Sequence, residues 1–197
     1  EVLAKCKESM KAVVKSMDRK EKTEHAPLLY DLTSLQRDAN RILGFTAQQT
    51  LNYTQALYEK KLVTYPRTDS RYLTEDMKPM LPALITQVAE KIGADAADWK
   101  VDNGTELSVD GMCDSRKVSD HHAIIPTGTM CAADLAVLPS GEKAILQLIA
   151  VRLLCATAPN HRYAEDMIVL ACGGEDHTGE AKRQPFPVGA KYPASQQ

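Results

Sequence analysis

The run "LVTYPRTDSRYL", residues 62–73, places Tyr65 two positions before Arg67, with Thr68, Asp69 and Ser70 close behind. A tyrosine hydroxyl, with a pKa of about 10, is a poor nucleophile in water. It becomes useful when a reaction must pause at a covalent intermediate that keeps the energy of the broken bond. In an extended segment an arginine two residues on reaches the same ligand, and its planar fork pairs with a phosphate through two hydrogen bonds. A tyrosine to attack and an arginine to neutralise developing charge suit phosphoryl transfer. Pro66 stiffens the backbone between them, and Thr68, Asp69 and Ser70 supply polar contacts or turn-stabilising side chains. A tight turn with a half-buried tyrosine would read the same way.

A second polar cluster is "SDHHAIIPT", residues 119–127. His121 could donate a hydrogen bond to a phosphate or move a proton near neutral pH. His122, its neighbour, points elsewhere in ordinary backbone. A histidine of the core or surface would fit equally. The Asp-His-His run also invites a divalent metal and a metal-dependent phosphoesterase. Metal sites draw ligands from several places, however, and no second Asp/His cluster appears in the chain.

The elements around these runs are legible in part. "EVLAKCKESM" reads as the end of a helix, and "KAVVKSMDRKEKTEH" as a strand leaving a sheet edge. "APLLYDLTS" reads as an extended linker, since Pro27 disfavours helix before it. Thr33 or Ser34 is expected to cap a helix over "LQRDANRIL", ended by Gly44. Thr46 and Gln49 form a capping box for a second helix, "AQQTLNYTQALYEKK", and the pair makes a helical hairpin. Thr74 is expected to cap a third helix. Its face is Leu81, Leu84, Ile85, Val88 and Ile92, its stop is Gly93, and Pro79 and Pro82 lie in or before its first turn. The polar stretch from Ala94 to Asp120 reads as loop. "SGEKAILQLIAVRLLCATAP" is the strongest helix, apolar nearly all round and so central to the core, stopped by Pro159. "RYAEDMIVLACGG" reads as a strand, and the last twenty or so residues as loop or frayed end. Strand-like pieces at both ends of a helical middle suggest a helical domain inserted into a β-containing one, with the ends pairing. The fold class expected is mainly α with flanking β, an α+β chain.

The 197 residues suffice for one or two domains with a real core. A hydrophobic fraction of 44% and a charged fraction of 25% are those of a soluble globular protein. No apolar run is long enough for a membrane span, and no secretory signal opens the chain. The five scattered cysteines read as reduced intracellular thiols. A net charge of -2 argues against a uniformly basic nucleic-acid binder. It conceals a basic patch at Lys60, Lys61, Arg67 and Arg71 and an acidic run from Glu75 to Asp110, and local fields decide where a polyanion docks.

"LVTYPRTDSRYL" resembles the active-site tyrosine motif of type IA DNA topoisomerases, especially the topoisomerase III branch. "PLLYDLTSLQRDANRILGFTAQQTLNYTQALYEKKL", "DHHAIIPT" and "GEKAILQLIAVRLLCATAP" agree with that family in order and spacing, over roughly residues 11–172. The resemblance implies that Tyr65 attacks a DNA phosphodiester and becomes linked to the 5′ phosphate. It implies that Arg67 stabilises the scissile phosphate and that His121 binds a nearby phosphate, with Thr68, Asp69 and Ser70 ordering the loop or touching DNA. Single-stranded DNA is the implied partner, and one strand is cut, another passed and the break resealed without ATP. Mg²⁺ is the implied cofactor, held by an acidic domain that precedes this region in the family and has no counterpart in the 64 residues before Tyr65. The chain then reads as a monomeric, bacterial, cytoplasmic and nucleoid-associated fragment, inactive alone and without metal of its own. Its parts would be an arch-domain stub at 1–26, a helical tyrosine domain at 27–161 and a returning arch strand with a C-terminal loop at 162–197. A non-catalytic helical DNA-binding module that keeps the motif as a relic is the alternative.

Overall fold

The computed structural model describes residues 12–94, 109–158, 160–172 and 175–183. They form two compact units, one on either side of boundaries at His25/Ala26 and Pro159/Asn160, the chain leaving the first unit and returning to it. The mix is α+β, as the sequence suggests. The expected helix end in residues 1–10, most of the polar stretch 95–120 and the expected stop at Pro159 lie outside the described residues.

The first unit is an antiparallel sheet in the order β1 (Val13–Glu24), β2 (His161–Cys172), β3 (Glu175–Arg183). The described stretches before and after the helical unit therefore pair, through β1 and β2. Arg19 faces Asp166 in the register, and a bulge lies between Val14 and Ser16. All of β1 is exposed, in keeping with an edge strand. Polar pairs hold it: Arg19 donates from Nε and Nη2 to the two oxygens of the buried Asp166 at 2.6 and 3.0 Å, and Lys22 pairs with Glu165. β3 corrects the expected loop at the C-terminal end, because the strand runs to Arg183 before residues 184–197 pass outside the described region. Its sequence, "EDHTGEAKR", carries no apolar alternation. Backbone pairing with β2, not its own hydrophobicity, makes it a strand.

The second unit is helical. α1 is Leu32–Leu43, with Leu35 and Ala39 buried one turn apart. Its cap is Asp31, not Thr33 or Ser34. The Asp31 carboxylate accepts from the Ser34 amide at 2.6 Å, and the Asp31 amide donates back to the Ser34 hydroxyl at 3.2 Å. A carboxylate at the N-cap also suits the helix dipole, so the helix starts a turn earlier than expected. Gly44, at φ 71°, ends it. α2, Ala47–Glu59, opens on the expected Thr46/Gln49 capping box. It closes in a Schellman turn in which the Lys61 amide donates to the Tyr58 carbonyl (2.8 Å) and the Leu62 amide to the Leu57 carbonyl (2.9 Å). Lys61 sits at φ 61°, the only non-glycine residue with positive φ among the described residues. That left-handed position costs an L side chain roughly 1–2 kcal/mol.

Thr74 does not cap the third helix. It precedes a 3₁₀ turn, Glu75–Met80, that carries Pro79, and makes no side-chain cap. α3 follows at Leu81–Ile92 with Pro82 in its first turn, where a missing amide costs nothing. After the short α4 (Gly128–Ala132), α5 (Ser140–Ala156) lies against α1, α2 and α3. It is central, as expected, but not buried all round: Lys143, Gln147, Val151 and Cys155 form an exposed stripe. Its other side supplies Ile145, Leu146, Ile149, Ala150, Leu153 and Leu154 to the core.

Two polar contacts tie the helices. Arg152 on α5 bonds the Asp38 carboxylate and, at 3.0 Å, the Tyr30 hydroxyl, which itself donates to Asp38 at 2.8 Å. Burial pushes the Tyr30 hydroxyl up to about 12. Burial would raise Asp38 too, but hydrogen bonds from Tyr30 and Arg41 and the charges of Arg152 and Arg41 hold it below the ordinary carboxylate range. Lys60, past the end of α2, pairs with the buried Glu142 at the start of α5.

Candidate active site

The Schellman turn at the end of α2 delivers the chain directly into the tyrosine run. There the backbone zips against the histidine run. Val63 bridges Pro126, the Thr64 amide donates to the Ile125 carbonyl at 3.0 Å, and the Thr127 amide donates to the Leu62 carbonyl at 3.0 Å. The Thr64 hydroxyl donates to the Ala123 carbonyl and accepts from the Ile125 amide, at 3.1 and 3.0 Å. Two polar clusters some fifty residues apart are thus one structure.

Burial alternates along the run. Pro66, Thr68 and Ser70 are buried, Arg67 and Asp69 are exposed, and Tyr65 is half-buried. The period of two that an extended segment imposes turns Arg67 and Asp69 outward and Pro66, Thr68 and Ser70 inward. The inward hydroxyls are consumed in holding the loop. Thr68 Oγ1 donates to the His121 carbonyl at 2.7 Å and accepts from the Ser70 amide at 3.1 Å. Ser70 Oγ lies 2.9 Å from the Lys117 carbonyl. The Leu32 amide donates to the Thr68 carbonyl at 3.1 Å, which sets the start of α1 against the loop.

Of the residues singled out in the sequence, Tyr65 and His121 come into ring contact, with centroids 4.3 Å apart. Arg67, Thr68, Asp69 and His121 line one cleft of about 500 Å³, together with Ser119 and Asp120. Arg67 makes no ion pair or hydrogen bond among the described residues, so its guanidinium is available to a ligand. Asp69 accepts from the Ser119 hydroxyl at 3.1 Å. His122 points elsewhere, its Nδ1 lying 2.8 Å from the Ala123 carbonyl. Among the described residues no three His, Cys, Asp or Glu side chains gather as a metal site.

Sequence reasoning missed Tyr58. From the last turn of α2 its ring meets Tyr65 edge to face, with centroids 5.4 Å apart and planes at 81°. The Schellman turn makes this contact, and no motif announces it. Tyr65 also borders a second groove of about 540 Å³ with Tyr58, Lys61, Thr64, Thr127 and Thr129. Chemically, the site offers a tyrosine whose ring touches those of Tyr58 and His121, an unpaired guanidinium two residues on and the exposed imidazole of His121. That set can bind a phosphoryl group and attack it.

A sequence model of the family described as DNA topoisomerase matches residues 1–187, and the chain belongs to that family. Within it the chain is of type IA, in the topoisomerase III-like branch, as its relatives show. It is 41% identical over 181 residues to DNA topoisomerase 3 of Bacillus subtilis (strain 168), covering 91% of this chain and 24% of that protein. DNA topoisomerase 3 of Bacillus licheniformis is likewise 41% identical, over 172 residues, covering 87% of this chain and 23% of that protein. The full-length topoisomerase I of Thermotoga maritima shares the fold, with a TM-score of 0.62 and 24% identity over 89% of this chain and 28% of that one. The chain spans about a quarter of the length of the curated relatives it matches. No described helix is long and apolar enough to cross a membrane.

Proposed function

We propose that this chain is the strand-breaking part of a longer bacterial type IA topoisomerase acting on single-stranded DNA in the cytoplasm, at the nucleoid. The observation that carries the proposal is the convergence of Tyr65, Arg67 and His121 from two distant motifs. The Tyr65 oxygen attacks the phosphorus of a DNA phosphodiester and loses its proton. The bond from phosphorus to the 3′ oxygen breaks, that oxygen leaves as a 3′ hydroxyl, and Tyr65 holds the 5′ phosphate. Because one ester replaces another, the bond energy is kept and the reverse step reseals the strand without ATP. Arg67 pairs with the scissile phosphate, and His121 donates a hydrogen bond to a phosphate beside it. Asp69, exposed, meets the nucleic acid or its counter-ions, whereas Thr68 and Ser70 order the loop.

We read the helical unit as the tyrosine domain and the sheet as the two ends of an arch domain. Mg²⁺, which lowers the repulsion between phosphates and acidic groups when bound, belongs to an acidic domain outside this sequence. The chain alone is then inactive. The test is relaxation of negatively supercoiled DNA with Mg²⁺, by the 197-residue chain and by the complete polypeptide that carries it. Relaxation by the complete polypeptide only is the expected result. Efficient relaxation by the chain alone would refute the division of labour, and none by either would favour a DNA-binding module that keeps the motif as a relic.

A further inference from the structure

Lys61 occupies a backbone position that suits glycine. As the residue just past the C-cap of a Schellman turn it needs a left-handed conformation, and it has one, at φ 61°. A non-glycine residue held in that region is a place to look for function. Its side chain has no structural use among the described residues, where it makes no ion pair and no hydrogen bond. Its backbone is firmly held: the amide donates to the Tyr58 carbonyl, and the carbonyl accepts from the Thr127 hydroxyl.

Tyr65 lines the groove that Lys61 lines, and it touches the cleft of Arg67 through the ring of His121. The two differ in charge. The Arg67 cleft is also lined by the carboxylates of Asp31, Asp69 and Asp120. The Tyr58 groove carries Lys61 with Glu59 alone as its acid, and Glu59 accepts from Gln55 at 3.1 Å. A polyanionic strand that crosses Tyr65 at the Arg67 cleft needs a cation where it leaves, and the acidic cleft does not provide a second one.

We propose that this groove is a nucleotide subsite next to the scissile phosphate and that the Lys61 ammonium pairs with the backbone phosphate there. The proposal rests on the topoisomerase reading of Tyr65 and Arg67. It gives a use to a lysine that stands where glycine would relieve the turn.

The test is binding of a fluorescent single-stranded oligodeoxythymidine by this chain over a range of salt concentrations. The proteins compared are the unmodified chain, Lys61→Gly, Lys61→Gln, Lys61→Arg and Arg67→Gln. Each phosphate contact on a single strand adds about 0.7 to the slope of log K against log salt. Lys61→Gly and Lys61→Gln should both bind several-fold more weakly with a slope smaller by about that amount, and Lys61→Arg should restore both. Lys61→Gly should at the same time unfold at a higher temperature, so a loss of binding in it is not a loss of folding. Unchanged affinity and slope in the Gly and Gln variants, with binding weakened in Arg67→Gln, would overturn the subsite and leave the wider reading intact. No binding by the unmodified chain would overturn the subsite and leave the wider reading to the relaxation test, and binding with none of the variants weakened would sink both.

Discussion

The imidazole of His121 lies with its centroid 4.3 Å from that of the Tyr65 ring, the planes tilted by 41°. With Tyr58 meeting the same ring edge to face at 5.4 Å, the tyrosine is held from two directions by rings of different elements. As the proposed nucleophile, a tyrosine fixed in this way would lose little freedom on reaching the transition state. The loop that bears His121 is held by its backbone, through the Thr68 hydroxyl. Holding the His121 loop and presenting its ring therefore fall to different groups, which can be removed separately.

His121→Ala removes an exposed ring and leaves the carbonyl that Thr68 uses. Its thermal unfolding should match that of the unmodified chain, while strand cleavage by the complete polypeptide falls by about 10²-fold or more, the usual loss for a well-placed donor. A drop in folding stability as large as the drop in cleavage would make His121 a structural residue.

Thr68→Val does the reverse. It leaves the His121 carbonyl and the Ser70 amide without their 2.7 and 3.1 Å partners in a buried place, and each unmet group costs about 1–3 kcal/mol. Urea unfolding should show a loss of that order. Arg67→Gln, at an exposed position, should show none.

Tyr58→Ala removes one wall from the Tyr65 ring. An aromatic pair is worth about 0.5–1.5 kcal/mol, and this partly exposed one lies toward the lower end. Single-turnover cleavage should slow, and Tyr58→Phe should restore it, because the ring and not the hydroxyl makes the contact. Equal slowing in both variants would contradict a positioning role.

The cluster of Tyr30, Asp38 and Arg152 makes stability depend on pH at both extremes. Asp38 is depressed in the fold, so its contribution is complete above the ordinary carboxylate value of 3.8 and is lost as pH falls through its lower folded value. Tyr30 is raised, so its contribution is complete below 10 and is lost as pH rises toward about 12. Urea midpoints across pH should lose the alkaline decline in Tyr30→Phe, with the acid decline weakened too because the Tyr30 hydroxyl helps hold Asp38 down, and should lose the acid decline in Asp38→Asn. Identical profiles in all three proteins would contradict the cluster.

Gly141 opens α5 beneath Tyr53, where an added Cβ would stand 2.5 Å from Tyr53 Cζ. Gly141→Ala should cost about 1–3 kcal/mol by overpacking. The cost should vanish in a Tyr53→Ala background, a coupling that a double-mutant cycle in urea reads directly.

Much of this was legible in the sequence because local chemistry decides it. Gly44, Gly93 and the Thr46/Gln49 box mark helix ends by backbone conformation and hydrogen bonding within a few residues. The helical face of Leu81, Leu84, Ile85, Val88 and Ile92 is a periodicity; the first four are buried, with Ala89 beside them, and Ile92 is half-buried. The expectations failed where a competing group, near or far in sequence, overrides the local signal. Asp31 took the cap from Thr33 and Ser34 by supplying a carboxylate. β3 became a strand through pairing with β2, which its own charged sequence does not signal. The exposed stripe of α5 escaped notice because Val151 and Cys155 are apolar yet face outward. At the site, the tyrosine and histidine motifs were visible, whereas Tyr58 was not, since only the turn at Lys61 folds it back onto Tyr65.

The measurement closest to the central claim is covalent trapping. The complete polypeptide that carries this chain is mixed with single-stranded DNA and Mg²⁺, denatured quickly, and digested for peptide mapping, with Tyr65→Phe alongside. The account predicts DNA joined through its 5′ phosphate to the peptide that contains Tyr65, and no adduct in Tyr65→Phe. An adduct on another residue, or none from a folded and complete protein, would contradict it.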